Sequence, residues 1–459
     1  MASPDSGDPE VSIGEIWGHA VANITPSAMA AVTVALVAVH GGPFTWLAYA
    51  VTGVLMLGVA WQVGILAQHF PSGASLFTYL GNGLHPIAGL LAGFSMILGY
   101  GGALLAAPLL GGLFLTEALR IFVTTPFFAT EIGVTLIYTL VAWSLARRGA
   151  EVSTRWGLWI ELFSLACILA LGAWALARFG FSDPAQWQWD NWQAAPFAQA
   201  LVLSLLAYGG FETAGNLAAE ARQQQAIPRV MLSSVLLVGL FFVLMAYVET
   251  LSFSHFHRPL AGSTAPLSKI ASGLGLPDLA IASDLAMAAA AFSATIATFN
   301  SISRIFAGMA RHGVLPAIFQ RRHPRHATPV AALDTLAAVV LLGVFGVCLG
   351  RVPVLSLVDV FGTFTGLSFI LLYSLANVAA PRYLLAQSRR LGWFSLTITL
   401  LVLPFLAAAL WGTVYPWPRG PVGLAVLGFA LTAVATVTVG IYWHRYHPEQ
   451  LQRVLGVED

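Results

Sequence analysis

Tyr208-Gly209-Gly210-Phe211-Glu212 interrupts the apolar stretch 196–219 with a glycine pair and a carboxylate. A second interruption, Asn23-Ile24-Thr25-Pro26-Ser27, falls in the apolar stretch 18–40. Proline removes a backbone donor, and paired glycines weaken helix continuity. In hydrocarbon, backbone groups freed in this way survive only where they line a protein-enclosed cavity. A kinked structural helix explains either interruption taken alone. Their spacing says more. As membrane spans they are the first and the sixth, each followed by four continuous helices. Corresponding interrupted spans in two halves point to a transporter site built on inverted repeats. Five is odd, so the second half enters the membrane from the opposite side.

The rest of the chain supports a membrane setting. Of its 459 residues 58% are apolar and only 9% charged, against about 25% charged in a soluble domain. The mean hydropathy is +0.80. Apolar runs of at least ~18 residues read as helices crossing ~30 Å of hydrocarbon. About twelve are present: 18–40, 44–67, 86–117, 127–146, 155–178, 196–219, 228–252, 277–309, 329–350, 354–380, 392–414 and 421–444. They are too long, and alternate too little, for a β-barrel. Acids number 20 and bases 21, which removes the basic footprint of a nucleic-acid binder. Cys167 and Cys348 lie in apolar runs, so neither a disulfide framework nor a Cys-rich zinc site is expected. The acidic start, with Asp5, Asp8, Glu10 and Glu15, does not resemble a cleaved signal peptide.

Placing the amino terminus in the cytoplasm puts about 14 basic residues inside and 6 outside, with Arg304 inside a span. Both termini are therefore expected in the cytoplasm, and the protein in the cytoplasmic membrane. The chain divides into an amino-terminal segment 1–17, a first five-helix repeat 18–178 and an external loop 179–195. A second, inverted five-helix repeat 196–380, helices 11 and 12 at 381–444, and a tail 445–459 follow. Trp187, Trp189 and Trp192 suit the external loop to an interfacial position.

Four places in register resemble the amino acid–polyamine–organocation (APC) permeases. Pro71-Ser72-Gly73-Ala74-Ser75-Leu76-Phe77-Thr78-Tyr79 is similar to that family's P-x-(A/S)-G-G-x-Y-x-Y loop. Gly209-Gly210-Phe211-Glu212, Ala219-Glu220-Ala221 and Ile227-Pro228-Arg229 resemble its F-x-G-F-E … I-P-R-A signature. Asn300, Arg304 and the run Ala310-Arg311-His312-Gly313-Val314-Leu315-Pro316 resemble its N-x-x-x-R … A-R-D-G-x-L-P stretch. His326 to Pro329 looks like the helix start that follows. The resemblance covers essentially the whole chain. It implies an all-α polytopic membrane protein with the five-plus-five inverted repeat of the leucine-transporter type, broken helices 1 and 6, and two additional helices. It further implies a secondary active transporter of amino acids or related small amines, working by alternating access, not an enzyme. Two departures bear on substrate class. The span 1 break reads Pro26-Ser27-Ala28-Met29-Ala30 in place of a Gly-x-Gly run, and Gln223-Gln224-Gln225 replaces the usual Asn or Lys and Pro.

A zwitterion in a midplane site needs donors for its carboxylate and acceptors for its ammonium. Helix amino termini supply the former and unwound carbonyls the latter. The expected substrate contacts are Thr25, Pro26, Ser27, Ala28 and Met29 on span 1, with Tyr208, Gly209, Gly210 and Phe211 on span 6. Pro26 has no N–H, so the amides expected to meet a carboxylate belong to Ser27, Ala28 and Met29. Spans 1, 3, 6, 8 and 10 would enclose the pocket, with Tyr208 and Phe211 either lids or packing. Only Glu212 brings charge to the break, which favours a neutral amino acid and leaves cationic cargo open.

Intramembrane charges are functional candidates by default. Glu212 either braces unwound span 6 through backbone N–H groups or titrates during transport. Glu161 stands among Trp159, Ile160, Leu162 and Phe163. By the resemblance it aligns with a span 5 lysine that proton-coupled and exchanger relatives place where sodium-coupled relatives hold a cation. A carboxyl there suits a proton carrier; it could equally pair with Arg155, or join Ser293, Thr295 and Thr298 around sodium. The proton is the expected coupling ion, with sodium second and plain exchange a further alternative; no metal or other cofactor is implied. Asp284, Asp334 and Asp359 are weaker coupling candidates. His40, His69, His85, His255 and His257 read as loop residues, and the basic loop with His323 and His326 as a topology determinant meeting anionic lipid.

Other classes lack their signatures. H-E-x-x-H, G-x-S-x-G and paired Asp clusters are absent, against an intramembrane enzyme. A cation transporter or channel on this scaffold remains the alternative of another class, without a T-V-G-Y-G filter. The expected partners are a small-molecule substrate and membrane lipid.

Overall fold

The computed structural model describes residues 11–72, 74–119, 127–218, 221–263, 265–326, 328–350 and 354–453. Gly73, Ala219, Glu220, Ala327, Arg120, Arg351, Asp5, Asp8 and Glu10 lie outside them, as do the side chains of Arg155 and Cys348. Among the described residues the chain is helical, and pairing is limited to the isolated bridges Val11–Ala221 and Arg322–Pro329.

Among the described residues, nine helical stretches are long and apolar enough to cross a membrane. The first, Ile13–His69, holds two passes joined by the short 3-10 turn Gly42–Phe44. Helices Phe127–Arg147 and Val330–Gly350, with 21 residues each, complete twelve passes among the described residues. Their ends fall within a few residues of the sequence expectation except at span 1, which starts at Ile13, span 5, which starts at Ala150, and span 10, which runs on to Gln387. Glu161 therefore lies ~16 Å into span 5 by rise alone, deeper than the sequence suggested.

Span 1 shows why its sequence breaks. Ser12 and Glu15 form a capping box that starts Ile13–Ile24. Proline disfavours α geometry in the residue before it. Thr25 leaves the helix in a left-handed geometry, φ 50°, ψ 58°, which is uncommon for a β-branched residue, and Pro26 opens the next helix, Pro26–Gly41, where its missing N–H costs nothing. The break is one residue long: Thr25 donates to the Val21 carbonyl, and Met29 donates to that of Thr25.

Span 6 is interrupted more widely than its glycine pair suggested. The helix Ala194–Leu205 tightens into a 3-10 turn at Leu206–Tyr208. Gly209 is extended, Gly210 has φ 114°, and a second 3-10 segment runs Phe211–Leu217.

Helices five apart in order pack on one another: span 1 on 6, span 2 (Thr45–His69) on 7 (Ile227–His255), span 3 (Pro86–Leu119) on 8 (Pro277–Arg311), and span 4 on 9. This is the pairing an inverted five-plus-five repeat produces, and the leucine-transporter architecture is the fold of this chain. Span 10, Val354–Gln387, packs on spans 3 and 11. Spans 11 (Arg389–Val414) and 12 (Pro421–Tyr446) lie outside the repeat and expose Leu400, Leu401, Leu424 and Leu431, as a lipid-facing surface does. Gln62 ties span 2 to spans 10 and 11: its amide donates to Asn377 of span 10 at 2.9 Å and to Thr399 of span 11 at 3.0 Å.

Candidate functional site

The two breaks face each other in backbone contact. A Cβ built on Gly210 would lie 2.8 Å from the Asn23 carbonyl carbon and oxygen and 2.9 Å from the Ile24 nitrogen. Only glycine allows this approach, and its positive φ suits glycine as well. Thr25, Ser27 and Ala28 on one side, and Tyr208, Gly209, Gly210 and Phe211 on the other, are all buried; Met29 is half-buried.

A carboxylate of the protein itself closes the amino terminus of the second half of span 1. Glu161 Oε1 accepts from the Ser27 backbone N–H at 3.0 Å and from the Ser27 hydroxyl at 2.7 Å. The positive end of the helix dipole favours an anion there. Of the three amides expected to serve a ligand, that of Ser27 is thus taken by Glu161 and that of Met29 by the Thr25 carbonyl. Glu161 is fully buried, and its Oε2 has no hydrogen-bond partner among the described residues. Nearby on span 8, Ser293 donates to the Gly157 carbonyl of span 5 at 2.9 Å, which joins those two helices. Thr295 donates back to Ala291 of its own helix at 2.7 Å.

Glu212 braces the other break. Its Oε2 accepts from the Gly210 N–H at 3.1 Å and from the Tyr373 hydroxyl of span 10 at 2.8 Å, while Oε1 accepts from the Tyr100 hydroxyl of span 3. Three spans therefore converge on one buried carboxyl group. Phe211 stacks on Tyr373 with centroids 5.5 Å apart, Tyr373 stacks on Phe369 at 5.6 Å, and Tyr100 meets Phe369 edge-on at 5.7 Å. An aromatic shell thus surrounds the Gly209–Glu212 turn.

Tyr208 points away from this shell. Its ring lies between spans 2 and 7, edge-on to Phe242 at 5.4 Å, and its hydroxyl donates to the Tyr49 carbonyl at 2.7 Å. Asp334 accepts from Trp143 at 3.0 Å and pairs with Arg147 at 3.6 Å. Asp284 accepts from Ser268 at 3.2 Å, and Asp359 is exposed. None of these three aspartates reaches the breaks.

Four buried residues of interest escaped the sequence reading. Tyr100 and Tyr373 are Glu212 partners and look like ordinary aromatics in apolar runs. Glu249 on span 7 is fully buried with both carboxyl oxygens unpartnered among the described residues. The rule that singled out Glu161 applies equally to Glu249, a carboxylate in the run Val248-Glu249-Thr250-Leu251. His19, six residues before the span 1 break, contacts Ser301 of span 8 at 3.2 Å. No group of three or more His, Cys, Asp or Glu side chains able to hold a metal occurs among the described residues.

Comparisons with known proteins bear on the family and the fold. The family model described as amino acid permease matches residues 12–449. The chain is 25% identical over 312 residues to the low-affinity putrescine importer PlaP of Escherichia coli K12, a match covering 65% of this chain and 66% of the importer. The chain thus spans slightly less than two thirds of that relative, and the same holds for the PlaP of Escherichia coli O157:H7. Among solved structures, MhsT in complex with L-phenylalanine superposes with a TM-score of 0.63 at 13% identity, covering 86% of this chain and 98% of MhsT.

Proposed function

This chain belongs to the amino acid permease family; from that premise we propose that it is a secondary active transporter of amino acids or amines working by alternating access. The observation that carries this reading is the backbone contact between Gly210 and Asn23–Ile24, which sets two interrupted spans against each other inside the membrane. Each break joins a helix half to a neighbour through one hinge residue or a short unwound turn, so the halves can tilt separately. Buried hydrogen-bonding groups at the breaks then exchange partners between protein and cargo without meeting lipid.

Glu161 is the proposed coupling residue and the proton its ion. A buried carboxyl group held by the Ser27 amide and hydroxyl binds them more strongly when ionised, because charged acceptors make stronger hydrogen bonds. Taking up a proton loosens the start of the second half of span 1 and so connects protonation to hinge movement. The site would lie in the cytoplasmic membrane with both termini in the cytoplasm, in keeping with the distribution of arginines.

The test is radiolabelled uptake into proteoliposomes, with a panel of amino acids and amines under a proton gradient, a sodium gradient or trans substrate alone. Accumulation under the proton gradient supports the whole reading. Accumulation only under sodium, or only with trans substrate, overturns the proton assignment. No uptake by folded protein under all three conditions overturns the transporter mechanism.

A further inference from the structure

We propose that the cavity between the starts of spans 1 and 7 binds an anionic phospholipid, with its phosphate group at Arg229 and an acyl chain along span 7. The cavity, about 420 Å³ in volume, lies at the end of the bundle where both spans begin. No residue of either break lines it. Span 1 contributes Ile13 and Trp17, the stretch after span 6 contributes Gln223, and span 7 contributes Arg229, Val230 and Ser233.

The polar part of this lining suits an anion. The Arg229 guanidinium, the Gln223 amide and the Trp17 indole N–H make no hydrogen bond or ion pair among the described residues. Arginine and indole offer donors only, and the guanidinium fork fits phosphate oxygens. No carboxylate lines the cavity among the described residues. Glu15, two residues before Trp17, is engaged elsewhere: the Ser12 N–H and hydroxyl both donate to its Oε2 at 2.8 Å. The site therefore complements a phosphate and holds no charge for the ammonium of a zwitterionic headgroup.

A soluble anion leaves the neighbouring surface unexplained. Beyond Ser233, span 7 carries Leu236, Leu240 and Leu244 at spacings of three and four residues, so they continue the face of Arg229 and Ser233. All three leucines are exposed. Ser233 to Leu244 covers ~16 Å by rise alone, the depth of one leaflet of a ~30 Å hydrocarbon core. A phosphate at Arg229 and an apolar chain on this stripe thus fit one molecule. Bound there, the lipid joins span 1 to span 7 beside the contact in which the Arg222 N–H donates to the Val11 carbonyl at 3.2 Å.

An arginine at a membrane surface also attracts anionic lipid diffusely, so the experiment separates a site from a charge. The purified full chain is titrated in detergent with phosphatidylglycerol, with phosphatidylcholine of the same acyl chains, or with glycerol 1-phosphate, and bound molecules are counted by native mass spectrometry. The first phosphatidylglycerol is expected to bind with a Kd about tenfold or more below that of phosphatidylcholine, equivalent to about 1.4 kcal/mol. Arg229→Gln is expected to remove most of that preference. Arg390→Gln is the control, an exposed arginine at the start of span 11 that does not line the cavity, and is expected to keep it. Ser233→Phe changes no charge but puts a ring into the cavity, and is expected to weaken phosphatidylglycerol binding by a similar factor. Equal Kd values for the two lipids, equal losses in Arg229→Gln and Arg390→Gln, or unchanged binding by Ser233→Phe overturns the proposal. Displacement of the lipid by glycerol 1-phosphate at the lipid's own Kd overturns the lipid assignment in favour of a soluble phosphate. All three substituted residues are exposed, so the variants are expected to fold; the wild-type comparison of the two lipids decides where one does not.

Discussion

Replacing Gly210 by alanine places one methyl group between the two breaks. The new Cβ would sit 2.8 Å from the Asn23 carbonyl carbon and oxygen and 2.9 Å from the Ile24 nitrogen, where carbon contacts prefer about 3.5–4.0 Å. No flexible side chain is there to yield, since all three neighbours are backbone. The halves of spans 1 and 6 must separate, at an overpacking cost of about 1–3 kcal/mol. Alanine at φ 114° adds backbone strain of about 1–2 kcal/mol. Together the two effects come to about 2–5 kcal/mol, or about 30-fold to several thousand-fold in any equilibrium that needs the breaks in contact. The assay is counterflow and uptake in proteoliposomes, beside thermal unfolding of the purified protein in detergent. Gly172→Ala serves as control, because its nearest neighbour, Met245 Sδ, would lie 3.7 Å from the new Cβ. Gly210→Ala is expected to lose transport far beyond its fall in thermal stability, and Gly172→Ala to behave as wild type. Transport at the wild-type rate by Gly210→Ala would refute the claim that the two breaks work in contact.

Three further perturbations separate the roles of the buried groups. Glu212→Ala strands the Gly210 amide and the Tyr100 and Tyr373 hydroxyls, each at about 1–3 kcal/mol, so a large drop in unfolding temperature is expected, with Glu212→Gln intermediate; equal stability of all three proteins would contradict the bracing role. Glu161→Gln is expected to abolish uptake driven by a proton gradient while sparing exchange, and an unchanged dependence of uptake on that gradient would rule Glu161 out as the coupling group. Asp334→Asn removes a pair at 3.6 Å whose side chains are 36% and 46% exposed, worth less than about 1 kcal/mol; uptake and melting should match wild type, and a lost proton dependence would show that a coupling residue had been missed.

What the sequence reveals depends on whether the determinant is local. Pro26 disfavours a helical Thr25 before it, and the Gly209-Gly210 pair marks its own interruption, so both breaks are legible from a few adjacent residues, though the left-handed geometry of Thr25 is not. Hydropathy likewise marks each pass. The partners of the buried carboxyl groups are another matter. Ser27 and Glu161 are 134 residues apart, Glu212 and Tyr100 are 112 apart, and Glu212 and Tyr373 are 161 apart. Only the packing of spans 1 on 5, and of 3 and 10 around 6, brings them together, and no periodicity encodes which donor meets which acceptor. For the same reason the Ser27 amide reads as free for a ligand in the sequence and is taken in the structure. The early tightening of span 6 at Leu206 also lacks a local signal, since Leu206-Ala207 has no residue that disfavours a helix. Glu249 differs again: its charge in an apolar run was visible, and the fold adds that nothing among the described residues satisfies it.

The most direct measurement is a structure of the protein determined with a saturating concentration of whichever amino acid or amine the uptake panel shows it to transport. Density for that compound bounded by Asn23–Ala28 of span 1 and Gly209–Phe211 of span 6 is the predicted result. Density for it away from both breaks would contradict the central claim that the facing breaks form the transport site.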